Sequence, residues 1–388
     1  MIPIRYNLRS LAVRKATTIA TALGIALVVF VLASALMLAA GVRKTLVVGG
    51  KPDVAIVLRK GSDAELQSGI ETSQLNAILG APGVKRDETG KPIGIGEVIV
   101  VAAMEKIGAS GVTNVQLRGV PQDVMTFRPE TKIVAGRAAS PGSDECIIGA
   151  RIRGRFKGVE LGQSFELKKN LPVTVVGVFE SGGSSFESEV WIDVDTLRRA
   201  YNRQEIVSSV RVRLESPAAF DGFKAALEGD KQYGYIAMRE TEYFEKQSEG
   251  TSIFIGVMGT LISFFFALGA MIGAMITMYA AVANRQREIG TLRALGFSRG
   301  SILLSFLFEA IVLAMIGGLV GAAGSMLMGL AHFSMLNYAS WSEIVFSFDP
   351  TAAIIGRSLL FAALMGVVGG FFPALRASRV SPIAAMRG

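Results

Sequence analysis

The 388-residue chain has one cysteine, Cys146, one histidine, His332, and two tryptophans. A single cysteine excludes an intramolecular disulfide, a thiolate zinc site and a CxxC redox pair. Cys146 and His332 stand 186 residues apart, so no local pairing supports a cysteine–histidine nucleophile. No GxxxxGK[ST], HExxH or GxSxG string occurs. The marks of a phosphate loop, a zinc protease and a serine hydrolase are therefore missing. Charge is also scarce. Asp, Glu, Lys and Arg make up 19% of the chain, against roughly 25% in an ordinary soluble domain. Apolar residues supply 51%. A disordered chain and a simple soluble enzyme are both disfavoured.

The formal net charge is +8, and its location decides its meaning. Residues 43–249 hold 28 basic and 28 acidic side chains and are neutral. The remaining residues hold 12 basic and 4 acidic ones, and they also contain the long apolar runs. The excess therefore reads as a membrane-topology signal and not as a nucleic-acid footprint.

Residues 16–42 form 27 consecutive positions without a charge. As a helix they reach about 40 Å, enough for a hydrocarbon core of about 30 Å. A second uncharged run covers residues 250–284. A third, 301–342, is broken only by Glu309, and a fourth, 351–375, only by Arg357. Four transmembrane helices are expected, at 16–42, 253–284, 301–336 and 351–375. Arg5, Arg9, Arg14 and Lys15 precede the first; Arg285, Arg287, Arg293 and Arg299 lie between the second and third. Arg376, Arg379 and Arg387 follow the fourth, while the loop 337–350 carries only Glu343 and Asp349. The positive-inside rule puts both termini, the 376–388 tail and the 285–300 loop in the cytoplasm and residues 43–249 outside. A cleaved signal peptide is the competing reading of the start, with Ala33-Ser34-Ala35 resembling a cleavage site. The first apolar run is nearly twice the length such a peptide needs. Residues 1–15 suit a short helix in the cytoplasmic interface.

The external region alternates strand-like and helix-like stretches. Val54–Leu58, Val98–Ala103, Val115–Arg118, Val173–Phe179, Val190–Val194 and Tyr233–Met238 read as strands; Thr72–Leu79 and Ala218–Leu227 read as helices. In Val207–Leu214, Val210, Val212 and Leu214 alternate with Arg211 and Arg213, the pattern of a half-buried strand. Residues 53–120 and 203–238 then form one subdomain, residues 121–202 an inserted β-rich one, and 239–252 a stalk. The stalk is either a helix continuing into the second span or a loose linker.

Inside the spans, Glu309 is read as a carboxylate held by helix ends or basic loop residues. Arg357 is read as snorkelling outward or pairing with Asp349 or Glu343. His332 falls toward the outer end of the third span. Gly269/Gly273, Gly317/Gly321 and Gly366/Gly370 have the spacing of close helix contacts, within the chain or across a dimer seam. No span offers a line of polar residues for a hydrophilic pathway. The loop Asn284–Gly300 is amphipathic and bounded by glycines. Such a structured, charged helix exceeds what topology requires and suits docking of a cytoplasmic partner.

Three motifs carry a family resemblance. They are Arg287-Glu288-Ile289-Gly290 with Arg293-Ala294-Leu295-Gly296, then Phe306–Ala310, then Pro373–Arg379 followed by Ser381–Arg387. With Asn7-Leu8-Arg9 and Leu23-Gly24-Ile25 near the start, and Val134–Arg137, Ile147–Gly149 and Glu189–Trp191 outside, the chain resembles permeases of the MacB/FtsX-type ABC transporter family. The resemblance implies an α-helical membrane protein with four transmembrane helices. An α+β periplasmic domain, porter-like with an inserted β-rich subdomain, would lie between helices one and two. It implies a bacterial inner-membrane location, a permease dimer and a cytoplasmic ABC ATPase that holds ATP and Mg, with no cofactor in this chain; some members of the family carry that ATPase fused at the N-terminus, and here it is expected as a separate chain. Arg287, Glu288, Ile289, Gly290, Leu292, Arg293, Ala294, Leu295 and Gly296 map to the ATPase contact. The family works by mechanotransmission, without passing substrate through the spans. Export from the periplasm with a membrane fusion protein, and beyond it an outer-membrane channel, is the leading expectation. Release of lipoproteins or lipids and regulation of a cell-wall hydrolase are the alternatives; the 207-residue external region weighs against the last.

Overall fold

The computed structural model describes residues 15–108, 111–229, 234–338 and 340–381. The interfacial helix expected over 1–15 lies outside them, apart from Lys15, and so do Tyr233 and residues 382–388 of the tail. The chain divides into a helical unit and an α+β unit. The first takes residues up to Gly41, then Ser252–Ala331 and the chain from Ser347; the second takes Val42–Thr251 and His332–Phe346.

Four helices among the described residues are long and apolar enough to cross a membrane. They are α1 (Lys15–Val47), α2 (Glu240–Asn284), α4 (Arg299–Leu327) and α5 (Ala352–Ser378); the short α3 (Gln286–Ala294) stands between α2 and α4. Helix α2 is continuous over 45 residues, about 68 Å of rise. The stalk is thus the first turns of α2 and not a linker. Helix α4 begins where the Ser298 hydroxyl accepts the Ser301 amide at 3.2 Å. Thr351 does the same for the Ile354 amide, at 3.3 Å, before α5. These caps satisfy amides that a helix start leaves without partners.

The third span ends earlier than its hydropathy implied. Helix α4 stops at Leu327, one tight turn follows to Leu330, and β13 (His332–Asn337) begins. β13 pairs with β14 (Ser342–Ser347). Hydropathy does not separate an apolar strand from an apolar helix, so the run carries no mark of this boundary. His332 accordingly opens a strand, exposed, and is no part of a span.

Small residues set the helix spacing. A Cβ on Gly317 would lie 2.5 Å from the Ala22 carbonyl oxygen, and one on Gly321 2.3 Å from that of Ala26. A Cβ on Gly366 would lie 2.7 Å from Ala314 Cβ, and one on Gly370 2.3 Å from Ala310 Cβ. These two pairs are therefore used within the chain, α4 against α1 and α5 against α4. A Cβ on Gly269 or Gly273 of α2 would meet nothing within 4 Å among the described residues.

The α+β unit contains β1 (Val54–Arg59), β2 (Ile70–Glu71), β3 (Gly94–Glu105) and β4 (Val112–Val120). β5 (Lys132–Gly136), β6 (Glu145–Gly149), β7 (Ser164–Lys168), β8 (Leu171–Glu180) and β9 (Glu189–Asp193) follow. β10 (Ile206–Val207), β11 (Ser209–Arg213) and β12 (Tyr235–Arg239) complete it. The main sheet has the order β12-β1-β11-β3-β4-β9-β6-β8-β5, with β7 also on β8. β3 joins its two halves: Gly94–Glu97 pair with β11, and Val98–Glu105 pair with β4. The stretch expected as a separate insertion, 121–202, therefore continues the same sheet, because β9 aligns parallel to β4. The seam between the halves falls within β3, not at residue 121. Val57, Val98, Val100, Leu117, Ile148, Val190 and Val210 are among the buried residues of one core.

Candidate functional site

Two charged constructions stand out, one in each unit. In the helical unit, the chain leaves α2 at Arg285, whose side chain turns inward. Its Nη1 donates to Glu309 Oε2 at 3.1 Å and its Nε to Glu288 Oε2 at 3.2 Å. The guanidinium lies 5.3 Å from the centre of the Phe306 ring. Arg285 and Glu309 are both buried. Glu309 is thus a structural partner of the turn that introduces α3, since an unpaired carboxylate at that depth would be costly.

The nine residues expected to face a partner divide between two sides of α3 and its end. Ile289 is buried among Met278, Val282, Ile302, Phe306 and Ala374, and Gly290 is buried beside it. Leu292 packs partly on the same cluster. The Arg293 guanidinium donates to the Phe297 carbonyl at 3.1 Å, which ties the turn after the helix. Arg287, Ala294, Leu295 and Gly296 are exposed, and Glu288 is exposed while tied to Arg285. Leu295 is 73% exposed. Gly296 closes the helix at φ +93°, a left-handed conformation that glycine adopts without strain. The outward face is therefore Arg287, Thr291, Ala294 and Leu295: one cation and an apolar tip, held by a packed inner face. Arg357, the other intramembrane charge singled out, is exposed. One of its expected partners, Glu343, is engaged by Lys106 and Arg155 instead.

The second construction has no local sequence motif. In the α+β unit, Glu65, Glu97, Glu189 and Glu240 meet Arg118, Arg128 and Arg211, each at most 5% exposed. Arg118 grips Glu189 with two donors, at 2.6 and 2.8 Å, and reaches Glu97 at 3.0 Å and Glu65 at 3.2 Å. Arg211 donates to Glu65 at 2.7 Å, to Glu240 at 2.8 Å and also to Glu97. Arg128 donates to Glu240 at 2.9 Å. Phe186 receives two guanidinium groups, Arg128 at 4.3 Å and Arg118 at 5.0 Å from its ring centre. Gln116 and the Trp191 indole add hydrogen bonds to Glu189.

Glu97, Arg118, Glu189 and Arg211 come from β3, β4, β9 and β11, Glu240 opens α2, and Glu65 and Arg128 lie on connecting segments, so the cluster sits at the seam of the two half-sheets and at the origin of α2. Burial opposes ionisation of Glu65, but Arg118 and Arg211 outweigh it and hold the carboxyl well below the usual range. Burial is likewise outweighed at Glu240 by Arg128 and Arg211. At Glu189 burial prevails over Arg118 and the carboxyl is raised. Beside the cluster lies a cavity of about 30 Å³ with Gln116, Tyr243, Ser340 and Ser342 in its wall, room for about two waters. The alternation over Val207–Leu214 puts Arg211 on the solvent side of a half-buried strand, yet it is fully buried. The available signal was a charge inside each of four adjacent strands, of alternating sign in sheet order: Arg211, Glu97, Arg118 and Glu189.

Comparison with known proteins gives consistent matches. Residues 18–230 match the model of the MacB-like periplasmic core domain, and residues 260–382 that of the FtsX-like permease C-terminal region. The chain is 31% identical over 225 residues to an uncharacterized ABC transporter permease, YknZ, of Bacillus subtilis, covering 56% of this chain and 54% of that one. It is 31% identical over 236 residues to the macrolide export ATP-binding/permease protein MacB 1 of Aeromonas hydrophila, covering 58% of this chain and 35% of that one. The match thus spans about half the length of the first relative and about a third of the second. Among solved structures, the extracellular domain of YknZ aligns at 20% identity and TM-score 0.35, over 48% of this chain and 99% of that one. The periplasmic region of MacB from Actinobacillus actinomycetemcomitans aligns at 12% identity and TM-score 0.38, over 50% and 92%.

Proposed function

The chain belongs to the MacB/FtsX-type ABC transporter permease family, an inner-membrane protein family, and from that premise we propose that it is a mechanotransmission subunit. A separate cytoplasmic ATPase docks on the outward face of α3. Its ATP-driven closure moves the long helices and reshapes the ectodomain, which acts on substrate already outside the membrane. A membrane fusion protein receives that substrate, and an outer-membrane channel carries it further. ATP and Mg belong to the ATPase. Both termini and α3 are cytoplasmic, as the basic residues around them favour.

The observation that carries this reading is the course of α2. Its first residue, Glu240, is tied to Arg128 and Arg211 in the buried cluster, and its last turn leads to the Arg285 turn that holds α3. An unbroken helix between two anchored ends transmits displacement, where a flexible linker would absorb it. The apolar spans, which have no polar line through them, support movement over passage. The permease acts as a dimer, and the uncovered Gly269 and Gly273 of α2 support a close helix contact with a second copy.

A mild-detergent pull-down of the tagged chain from native membranes, read by mass spectrometry, tests the proposal. An ATPase subunit together with a membrane fusion protein is the expected result. An ATPase with a periplasmic hydrolase would replace export by regulation. Intact complexes without any ATPase would refute the docking role of α3.

A further inference from the structure

The 16 residues of β13, β14 and their turn stand between α4 and α5 in sequence, yet His332–Phe346 pack as part of the ectodomain. A turn joining two adjacent helices needs only about 2–8 residues. This hairpin instead makes a series of specific attachments. Glu343, 5% exposed, receives Lys106 Nζ at 2.6 Å and Arg155 Nη2 at 2.6 Å. Arg155 also donates to Ser334 Oγ at 2.7 Å, so one guanidinium holds both strands. Arg151 Nη1 donates to the Val345 carbonyl at 2.6 Å, and the Val345 amide donates to Ser188 Oγ at 3.0 Å. Ser342 through Phe346 are all buried.

Connectivity gives these attachments a mechanical meaning. Helices α1 and α2 each run unbroken into the ectodomain's part of the chain. Helices α4 and α5 do not; their only covalent continuation there is the hairpin. Yet α4 and α5 supply Ile302, Phe306, Ala374 and Ala377 to the cluster that seats Ile289 of α3. A displacement of α3 therefore loads α2, α4 and α5, and residues 332–347 join α4 and α5 in sequence to each other through the ectodomain's part of the chain. We propose that this hairpin is a second load-bearing attachment of the membrane helices to the ectodomain, that it stays attached through the ATP cycle, and that Glu343 is its positioning residue. The inference rests on the mechanotransmission reading and names a further part of its linkage.

The test uses the full complex captured from native membranes, comparing nucleotide-free and ATP–vanadate-trapped states by hydrogen exchange. Glu343→Gln removes the charge that Lys106 and Arg155 share. Amides of residues 333–346 should exchange at least tenfold faster, while those of β1 keep their parent rates. The vanadate-induced change elsewhere in the ectodomain should fall by at least half. A disulfide from Ser188→Cys with Val345→Cys should restore that change in the Glu343→Gln background and lose the rescue on reduction. Native Cys146 does not interfere, because it is buried and burial pushes its thiol up to about 12. An unchanged hairpin in Glu343→Gln refutes the positioning role. A loosened hairpin with a full vanadate response refutes the load-bearing role. A wild-type background in which the disulfide abolishes the response shows a hairpin that has to detach, and overturns the proposal. Failure to capture any ATPase sinks the functional reading and the load-bearing role with it, while exchange in the chain alone still decides whether Glu343 holds the hairpin.

Discussion

The helical unit and the ectodomain are held together by opposite means. In the first, the closest approaches are glycines against backbone, as at Gly321 and the Ala26 carbonyl. In the second, seven buried charges pair across a seam where β3 changes partners. Hydrocarbon gives apolar helices no hydrophobic reason to associate, so close packing decides which faces meet. In a water-exposed domain apolar burial is already available. A charge cluster there costs desolvation, and its effect is to penalise any arrangement in which the partners separate. The helical unit buries one such device, Arg285 with Glu309, and places it where a chain turn requires a fixed direction. The same small-residue spacing also ends differently on α2, where it remains uncovered. Spacing alone therefore does not name a partner.

Breaking the ectodomain cluster should have the largest effect. Arg211→Met leaves Glu65, Glu97 and Glu240 short of a guanidinium, and removing one partner of a buried ionic group costs about 3–5 kcal/mol. Protease resistance of the ectodomain during a thermal ramp should collapse well below the parent temperature. A midpoint within 2 °C of the parent, a shift of roughly 1 kcal/mol or less, would remove the cluster from the stability argument. Gly321→Val comes next, because its Cβ meets backbone and not a movable side chain. Overpacking of this kind costs about 1–3 kcal/mol. Gly269→Val, with open space around it, should leave the monomer's unfolding within about 0.5 kcal/mol of the parent and change only the dimer fraction on native gels. Equal damage from both substitutions would erase the distinction drawn between the two helices.

Acid should separate the units more gently. Guanidinium partners hold the folded carboxyls of Glu65 and Glu240 below the ordinary carboxylate range, whereas unfolded ones titrate at roughly 4.3. Their contribution is therefore present above about pH 4.5 and is lost as pH falls through the folded values. Glu189, raised by burial, works in the opposite sense and offsets part of the loss. Ectodomain protection should thus decline between about pH 4.5 and 3 under a protease active in acid. A flat profile over that interval would contradict the ionised state assigned to Glu65 and Glu240. The smallest change in stability belongs to Leu295→Ala, which removes an exposed side chain and should stay within about 0.5 kcal/mol. Its consequence should appear in the amount of ATPase recovered with the chain. Undiminished recovery would exclude Leu295 from the docking face.

Much of the architecture was legible. The spans follow from charge-free runs, and most ectodomain strands from β-branched alternation. The outward direction of α3's polar residues follows from its apolar spacing at Ile289 and Leu292. The Arg293 guanidinium folds back onto the Phe297 carbonyl four residues on, a contact that its sequence position does not reveal. The hairpin was missed because His332–Asn337 is as apolar as the helix before it, and Arg211 because strand alternation marks two faces without saying what covers the second.

The sequence by itself determined four membrane-length helices, a neutral domain between the first two and a basic, amphipathic loop between the second and third. These depend on local composition and period, which are written along the chain. Only the tertiary structure decided which glycines face a neighbour, where Glu309 finds its cation, how seven charges from distant segments meet, and that residues 332–346 pack with the ectodomain. Each of those outcomes rests on a contact between residues far apart in sequence. Close packing and the cost of burying charge depend on the partner as much as on the residue itself.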